Sequence, residues 1–320
     1  MAKAKKPKPI SIRKPIDPHH AARVRRIALH ALAAVMFITA CSAGMFFDRR
    51  YVEQKLVPAT ESPFVVLKNR PVWMSDFLAE QIAKTARPAG THSAFDHQLL
   101  VDTVALLRAN PWIRDVRQVR RAYGRKPGDT LEVDCDYRAP VALVHWKDYY
   151  WLVDGDGVKL PEAFSAADVP RIMIGQDHKV NIRVIEGVIE APPETGTRWN
   201  GDDLYAALDL VKLLFAKPYA EEIEKVDVNN FARRRDPKLA QLILITRYNT
   251  EVRWGQPVNV GEDKFFVEAT PEQKLAYMKA IFEETGRVDA RFAWVDIRFD
   301  AVTRPAVGAS AQTARLEIQR

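Results

Sequence analysis

His92 and His97 stand five residues apart with Asp96 between them, the kind of spacing at which imidazole and carboxylate can share a metal ion. A zinc site needs more donors than these, and neither Cys41 nor Cys135 is near, so the group reads as a solvated loop and helix start. Asp154-Gly155-Asp156-Gly157 suggests calcium, but lacks the regular acid spacing and closing glutamate of a calcium loop, so a hairpin turn is expected. Ser75 and Ser165 have no histidine partner in a recognised order. Neither a glycine-rich phosphate loop nor a His-Glu-x-x-His pair occurs. Arg233-Arg234-Arg235 beside Asp236 could clamp a phosphate, but reads as a solvated loop. Trp146, Tyr149, Tyr150 and Trp151 could stack on a sugar; alternating on a half-buried hairpin, they are expected to pack instead. Cys135, alone in a strand pattern, is expected to be a small buried hydrophobe, and no intramolecular disulfide is expected. No catalytic, metal or cofactor-binding residue is therefore assigned, and no small-molecule substrate is expected.

These residues sit in a chain of 320, 47% hydrophobic, long enough for about two domains and too apolar for wholesale disorder. The net charge of +7 is unevenly placed. Residues 1–26 hold nine Lys and Arg against Asp17 alone, leaving 39 basic and 40 acidic residues for 27–320. The basicity belongs to one tail, and the bulk offers no charge-based reason to bind nucleic acid. Ile27–Phe47 follows, free of charge at neutral pH and closed by Asp48-Arg49-Arg50. A helix of that length spans about 31 Å, close to the hydrocarbon thickness. His30 is one turn inside the basic end, where it can snorkel. The charge asymmetry predicts a cytoplasmic tail at 1–26 and an exported bulk.

Two rival readings of this segment exist. The basic region is long and the apolar core full length for a cleaved signal peptide. Ile38-Thr39-Ala40-Cys41 resembles a lipoprotein box with Cys41 as the lipidated residue, yet the apolar run continues through Met45-Phe46-Phe47, as a spanning helix needs.

Residues 48–62 read as a linker, with Pro58 and Pro63 against helix continuation. Phe64–Leu67 is a strand candidate; Ser75 caps a helix to about Ala86, and Asp96 a second to about Ala109. Asn110-Pro111 stops that helix, and Trp112-Ile113 supplies an apolar anchor. Strands follow at Val116–Tyr123 and Thr130–Tyr137 around a hairpin at Lys126–Asp129; Leu131, Val133, Cys135 and Tyr137 face one way. Beyond Pro140 the pattern turns to short strands: Val141–Trp146, Tyr149–Val153, Val158–Leu160, Arg171–Ile174, Arg183–Ile189, Val226–Val228 and Leu239–Trp254, the last with a turn at 248–250. Two helices interrupt them, one opening at Asp202-Asp203 and one at Thr270-Pro271-Glu272-Gln273, a capping box with proline at the first position. Arg291–Asp300 reads as a final strand at or near a sheet edge, before a frayed tail at 302–320.

One ordered set of motifs resembles a known family. Asn110-Pro111-Trp112-Ile113, Val119-Arg120-Arg121, Thr130-Leu131-Glu132-Val133, Arg138-Ala139-Pro140-Val141-Ala142, Leu152-Val153-Asp154 and Gly157 follow one another as in the bacterial cell-division proteins FtsQ and DivIB. Trp294–Asp300 also resembles their terminal strand, and the resemblance covers about residues 23–301. It implies an α+β chain: a single transmembrane helix at 27–47, a POTRA domain (β-α-α-β-β) at 63–140, and a mixed β-sheet domain with two helices at 141–301. It further implies a non-enzymatic scaffold in the bacterial cytoplasmic membrane at the division septum, contacting exported segments of FtsB-like and FtsL-like proteins. Arg298 and Phe299 match the family's basic and aromatic contacts, with Asp300 beside them, while Ala301 departs from its usual polar residue. The longer loop at Arg87–Ala94, the Arg125–Asp129 hairpin and the Asn229–Lys238 basic loop also depart from the family pattern. The alternatives are an envelope lipoprotein, a POTRA-bearing transport or assembly component, and an envelope hydrolase.

Overall fold

The computed structural model describes residues 18–52, 63–90, 92, 96–123, 127–174, 182–259 and 268–305. Most of the basic tail, of the linker and of the 302–320 tail, and the tip of the first hairpin, lie outside the described residues.

The uncharged run is helical, within α1 (Pro18–Tyr51). Among the described residues it is the one helix long and apolar enough to cross a membrane, and none of it is buried against the rest of the chain. Thr39 and Ser42 donate their hydroxyls back to the carbonyls of Val35 and Ile38, which hides two polar groups on an otherwise apolar surface. The helix continues without a break past Cys41 to Tyr51.

After the linker the chain forms β1 (Phe64–Lys68), α2 (Asp76–Thr85), α3 (Gln98–Arg108), β2 (Ile113–Tyr123) and β3 (Pro127–Tyr137). The three strands make one sheet in the order β1-β3-β2, with β1 parallel and β2 antiparallel to β3. Ser75 caps α2 as expected, its hydroxyl accepting the Leu78 N–H at 3.2 Å. Asp96 acts one residue outside the expected position. His97 is the residue preceding α3, and the Asp96 carboxylate accepts the Gln98 N–H at 3.0 Å. Alternation along β3 buries Leu131, Val133 and Cys135 against Ile82, Leu99 and Leu107 of the helices.

The remainder is built on a mixed sheet of eight strands. They are β4 (Pro140–Trp146), β5 (Tyr149–Asp154), β6 (Lys159–Phe164), β7 (Arg183–Glu186), β8 (Ile223–Asp227), β9 (Leu242–Thr246), β10 (Glu251–Gly255) and β11 (Trp294–Asp296). Their order is β11-β10-β9-β8-β7-β4-β5-β6. Strands β4, β7 and β8 run parallel to one another, and β11 runs parallel to β10. Helix α5 (Asp202–Leu214) lies against β4, β7 and β8, and with α6 (Pro271–Thr285) closes the main core over Val144, Ile185, Val226 and Leu244. The capping box of α6 is present: Thr270 Oγ1 accepts the Gln273 N–H, and the Thr270 N–H donates to Gln273 Oε1. Gly286 ends that helix in the left-handed region at φ 73°.

The continuous apolar run of β4 has a cause in this arrangement. Ala142 and Val144 face α5, while Leu143 turns the other way and joins Leu152, Leu160 and Val184 in the core that also holds Trp112 and Leu131. The two sheets therefore share apolar packing, reinforced by Arg138 Nη1 on Asp154 Oδ2 at 2.7 Å.

Three expectations need correction. Arg171–Ile174 is not a strand but part of a short helix, α4 (Val169–Ile174). Pro170 sits in its first turn, and Asp168 and Ser165 tie the entry together through Ser165 Oγ on Asp168 Oδ2 at 2.7 Å. Among the described residues the second part of the chain thus has three α-helices rather than two. The last strand is three residues long, not ten: positive φ at Ala290 and Arg291 precedes it, and the chain bends away after Asp296.

Candidate functional site

A sheet edge is a row of backbone donors and acceptors with no partner strand, so each edge of the large sheet is a candidate docking surface. At the start of β6 the edge is filled: the Lys159 N–H donates to Thr197 O at 3.0 Å, and the Gly196 N–H to Lys159 O at 2.8 Å. Pro161 has no N–H to offer further along. The other edge is β11, held to β10 in parallel by Glu251 N–H on Ala293 O at 3.0 Å and Ile297 N–H on Arg253 O at 3.3 Å. Residues 293 and 297 use the groups that face β10, so Trp294 and Asp296 turn theirs outward. The Trp294 indole is half-buried, with the Arg253 guanidinium 4.2 Å from its ring centre.

Below this edge lies a cluster of buried charge. Asp296 is buried and receives Arg298 as a fork, Nε to Oδ1 at 3.0 Å and Nη2 to Oδ2 at 2.7 Å. Arg298 Nη1 donates to Lys238 O at 2.9 Å. Burial pulls the Arg298 guanidinium down, but the Asp296 hydrogen bond and charge outweigh it, so its pKa is raised. Beside it Lys274, itself buried, donates to Glu268 at 2.7 Å, and Glu268 also accepts the Gln256 N–H at 2.9 Å. Desolvation pulls the Lys274 ammonium down against the pull of Glu268. Gly255, at φ 95°, makes room for this pair: a Cβ there would stand 2.0 Å from Glu268 Oε2.

Of the expected contact residues, Phe299 and Asp300 are exposed, Phe299 by 42% with Arg298 over its ring at 5.1 Å. Arg298 is turned inward, its side chain only 14% exposed. The alternation of a strand, which would set Ile297 and Phe299 on one side and Arg298 on the other, does not occur. Ile297 is fully buried and lies outside the strand, and residues 298–300 are bends. Asp296, Glu268 and Lys274 escaped the sequence reading. The one signal available was an acid inside the apolar Trp294-Val295-Asp296-Ile297 run, which demands a buried partner.

The other sequence candidates are dispersed. His92 Nδ1 lies 3.2 Å from Asp96 Oδ2, which holds that carboxyl below its usual range, and no cysteine joins them. Among the described residues no group of three or more His, Cys, Asp or Glu could hold a metal ion. Asp154 Oδ1 is spent on the N–H groups of Asp156 and Val158, which makes the acidic loop a turn. Burial pushes the Cys135 thiol up to about 12, the reverse of an activated nucleophile. Arg234 donates to Asp203 Oδ2 at 3.0 Å and to Asn229 O at 2.8 Å, and Arg235 to Asn229 Oδ1 at 2.6 Å, so both pin the 229–236 loop while staying exposed to solvent. Trp146 and Trp151 pack against the main core, each under a lysine, and Tyr149 is 54% exposed. Compared with protein-family models and with curated protein sequences, the chain matches none of them.

Proposed function

We propose that the protein is a non-enzymatic, membrane-anchored scaffold of bacterial cell division of the FtsQ/DivIB kind, docking exported segments of small coiled-coil division proteins on its last strand. The observation that carries this reading is the position of β11: the final strand among the described residues is an edge of the large sheet, with exposed Phe299 and Asp300 beside it. Backbone groups on such an edge supply affinity to an added strand, and neighbouring side chains supply selectivity. The order β1-α2-α3-β2-β3, with β1 parallel to β3, supports reading residues 63–140 as a POTRA unit. The basic tail ahead of Ile27–Phe47 supports a cytoplasmic N-terminus and an exported bulk. The unbroken course of α1 past Cys41 favours a spanning helix over a lipidated Cys41 in an envelope lipoprotein or transport component.

Phe299→Ala tests the docking. It removes an exposed ring without disturbing the core, and should weaken binding of an FtsB-like exported segment by about tenfold, the scale of an interface aromatic. Calorimetry on the full chain in detergent reads the change; a folded variant with undiminished affinity removes this surface from the proposal. A fluorescent fusion that fails to gather at the division site removes the septal role.

A further inference from the structure

The β11 edge is occupied by the chain itself. After Asp296 the backbone loops back, and Thr303 pairs antiparallel with Asp296: the Asp296 N–H donates to Thr303 O at 2.9 Å and the Thr303 N–H to Asp296 O at 3.1 Å. The returning segment is fastened by light contacts. Arg304 lies over the Phe292 ring at 5.8 Å, Val302 packs on the main core, and Tyr277 Oη donates to Asp300 O at 3.3 Å. The register that sets Thr303 against Asp296 brings Pro305 opposite Trp294. Proline has no N–H, so the two-bond pairing cannot be completed at Trp294, whose outward carbonyl a longer strand could satisfy.

We propose that residues 301–305 are a built-in pseudo-ligand that gates the edge: a partner strand docks on β11 by displacing Thr303. The inference rests on the docking reading above, and it also describes the partner. That partner is an extended polypeptide running antiparallel to β11, with a non-proline residue opposite Trp294. It gains the pair at Trp294 that the resident segment lacks.

The test measures binding of an FtsB-like exported segment to the full chain in nanodiscs. Thr303→Pro abolishes one bond of the bridge and should tighten binding by about tenfold, since the competing state is removed. Pro305→Ala restores an N–H opposite Trp294, strengthens the resident segment and should weaken binding severalfold. Arg304→Ala repeats the opening at an exposed side chain without touching the backbone, and should tighten binding by a factor of about two to three. Protection of the Val295 amide from hydrogen exchange certifies that each variant keeps β11 in place. Equal affinity across wild type and the variants overturns the gate and leaves the docking reading standing. Thr303→Pro protein that self-associates without binding the segment more tightly also overturns it, because the bridge then only guards the edge. Absence of binding by wild type and by every variant, Thr303→Pro included, overturns the docking reading and the gate with it.

Discussion

Arg298 illustrates how a surface residue by sequence becomes a structural one. Its fork onto Asp296 fills the acceptor demand of a buried carboxylate and ties β11 to the 238 loop. Arg298→Glu would set two carboxylates against each other, and should cost about 3 kcal/mol of stability, the scale of breaking a buried pair. Chemical denaturation of the 63–301 fragment decides it; an unchanged midpoint would show that Arg298 is free to serve a partner. Asp289 plays a comparable part behind the strand. Burial raises its carboxyl, but Arg287, Thr250 and the Arg291 N–H outweigh that and hold its pKa below the usual 3.8. A carboxyl depressed in the folded state lends stability that is complete above its unfolded pKa and is lost as pH falls through the folded value. Stability should therefore decline below about pH 4. Asp289→Asn should be less stable at neutral pH and show a shallower acid limb by tryptophan fluorescence; an identical acid limb would assign the acid sensitivity elsewhere.

At the scale of elements, Trp112 does more than end a helix. The Asn110 side chain accepts its backbone N–H at 3.0 Å, and its ring lies 5.9 Å from Trp73. It is buried to 7% at the place where the three-stranded sheet meets the eight-stranded one. Trp112→Ala should cost about 3–5 kcal/mol, the range for large aromatics in cores. A melting temperature unchanged in the 63–301 fragment would refute the role. Edge strand β11 lies at the opposite end of the large sheet from β6, so loss of Trp112 and loss of Phe299 should be separable, the first in stability and the second in binding.

For the whole molecule, the decisive feature is the asymmetry about α1: nine basic residues in 1–26, then a helix fit to span a bilayer, then a bulk of nearly balanced charge. A reporter active only outside the cytoplasm, fused after residue 60, should be active. Activity there of a reporter that works only in the cytoplasm would invert the topology and remove the docking edge from the exported side. The large sheet is covered at the start of β6 by residues 196–197 and at Asp296 of β11 by Thr303, so the chain guards part of each edge with its own backbone.

Local chemistry was enough to read much of this from sequence alone. The uncharged run, the Ser75 and Thr270 caps and the alternation along β3 each depend on near neighbours, and each appears where the spacing put it. Arg171–Ile174 was misread because four apolar-rich residues fit strand and helix alike, and the entry turn at Ser165–Asp168 decided between them. The candidate site was legible only as a location. That the last strand is an edge followed from its place before a tail; its length, its parallel pairing and the inward turn of Arg298 did not. Those depend on Lys238, Arg253 and Thr303, brought together by the sheet order, and no spacing within residues 291–300 encodes them. Pairing across a sheet is a non-local interaction, so the sequence by itself determined which segments could be strands, while only the tertiary structure decided which of their hydrogen-bonding groups were left for a partner.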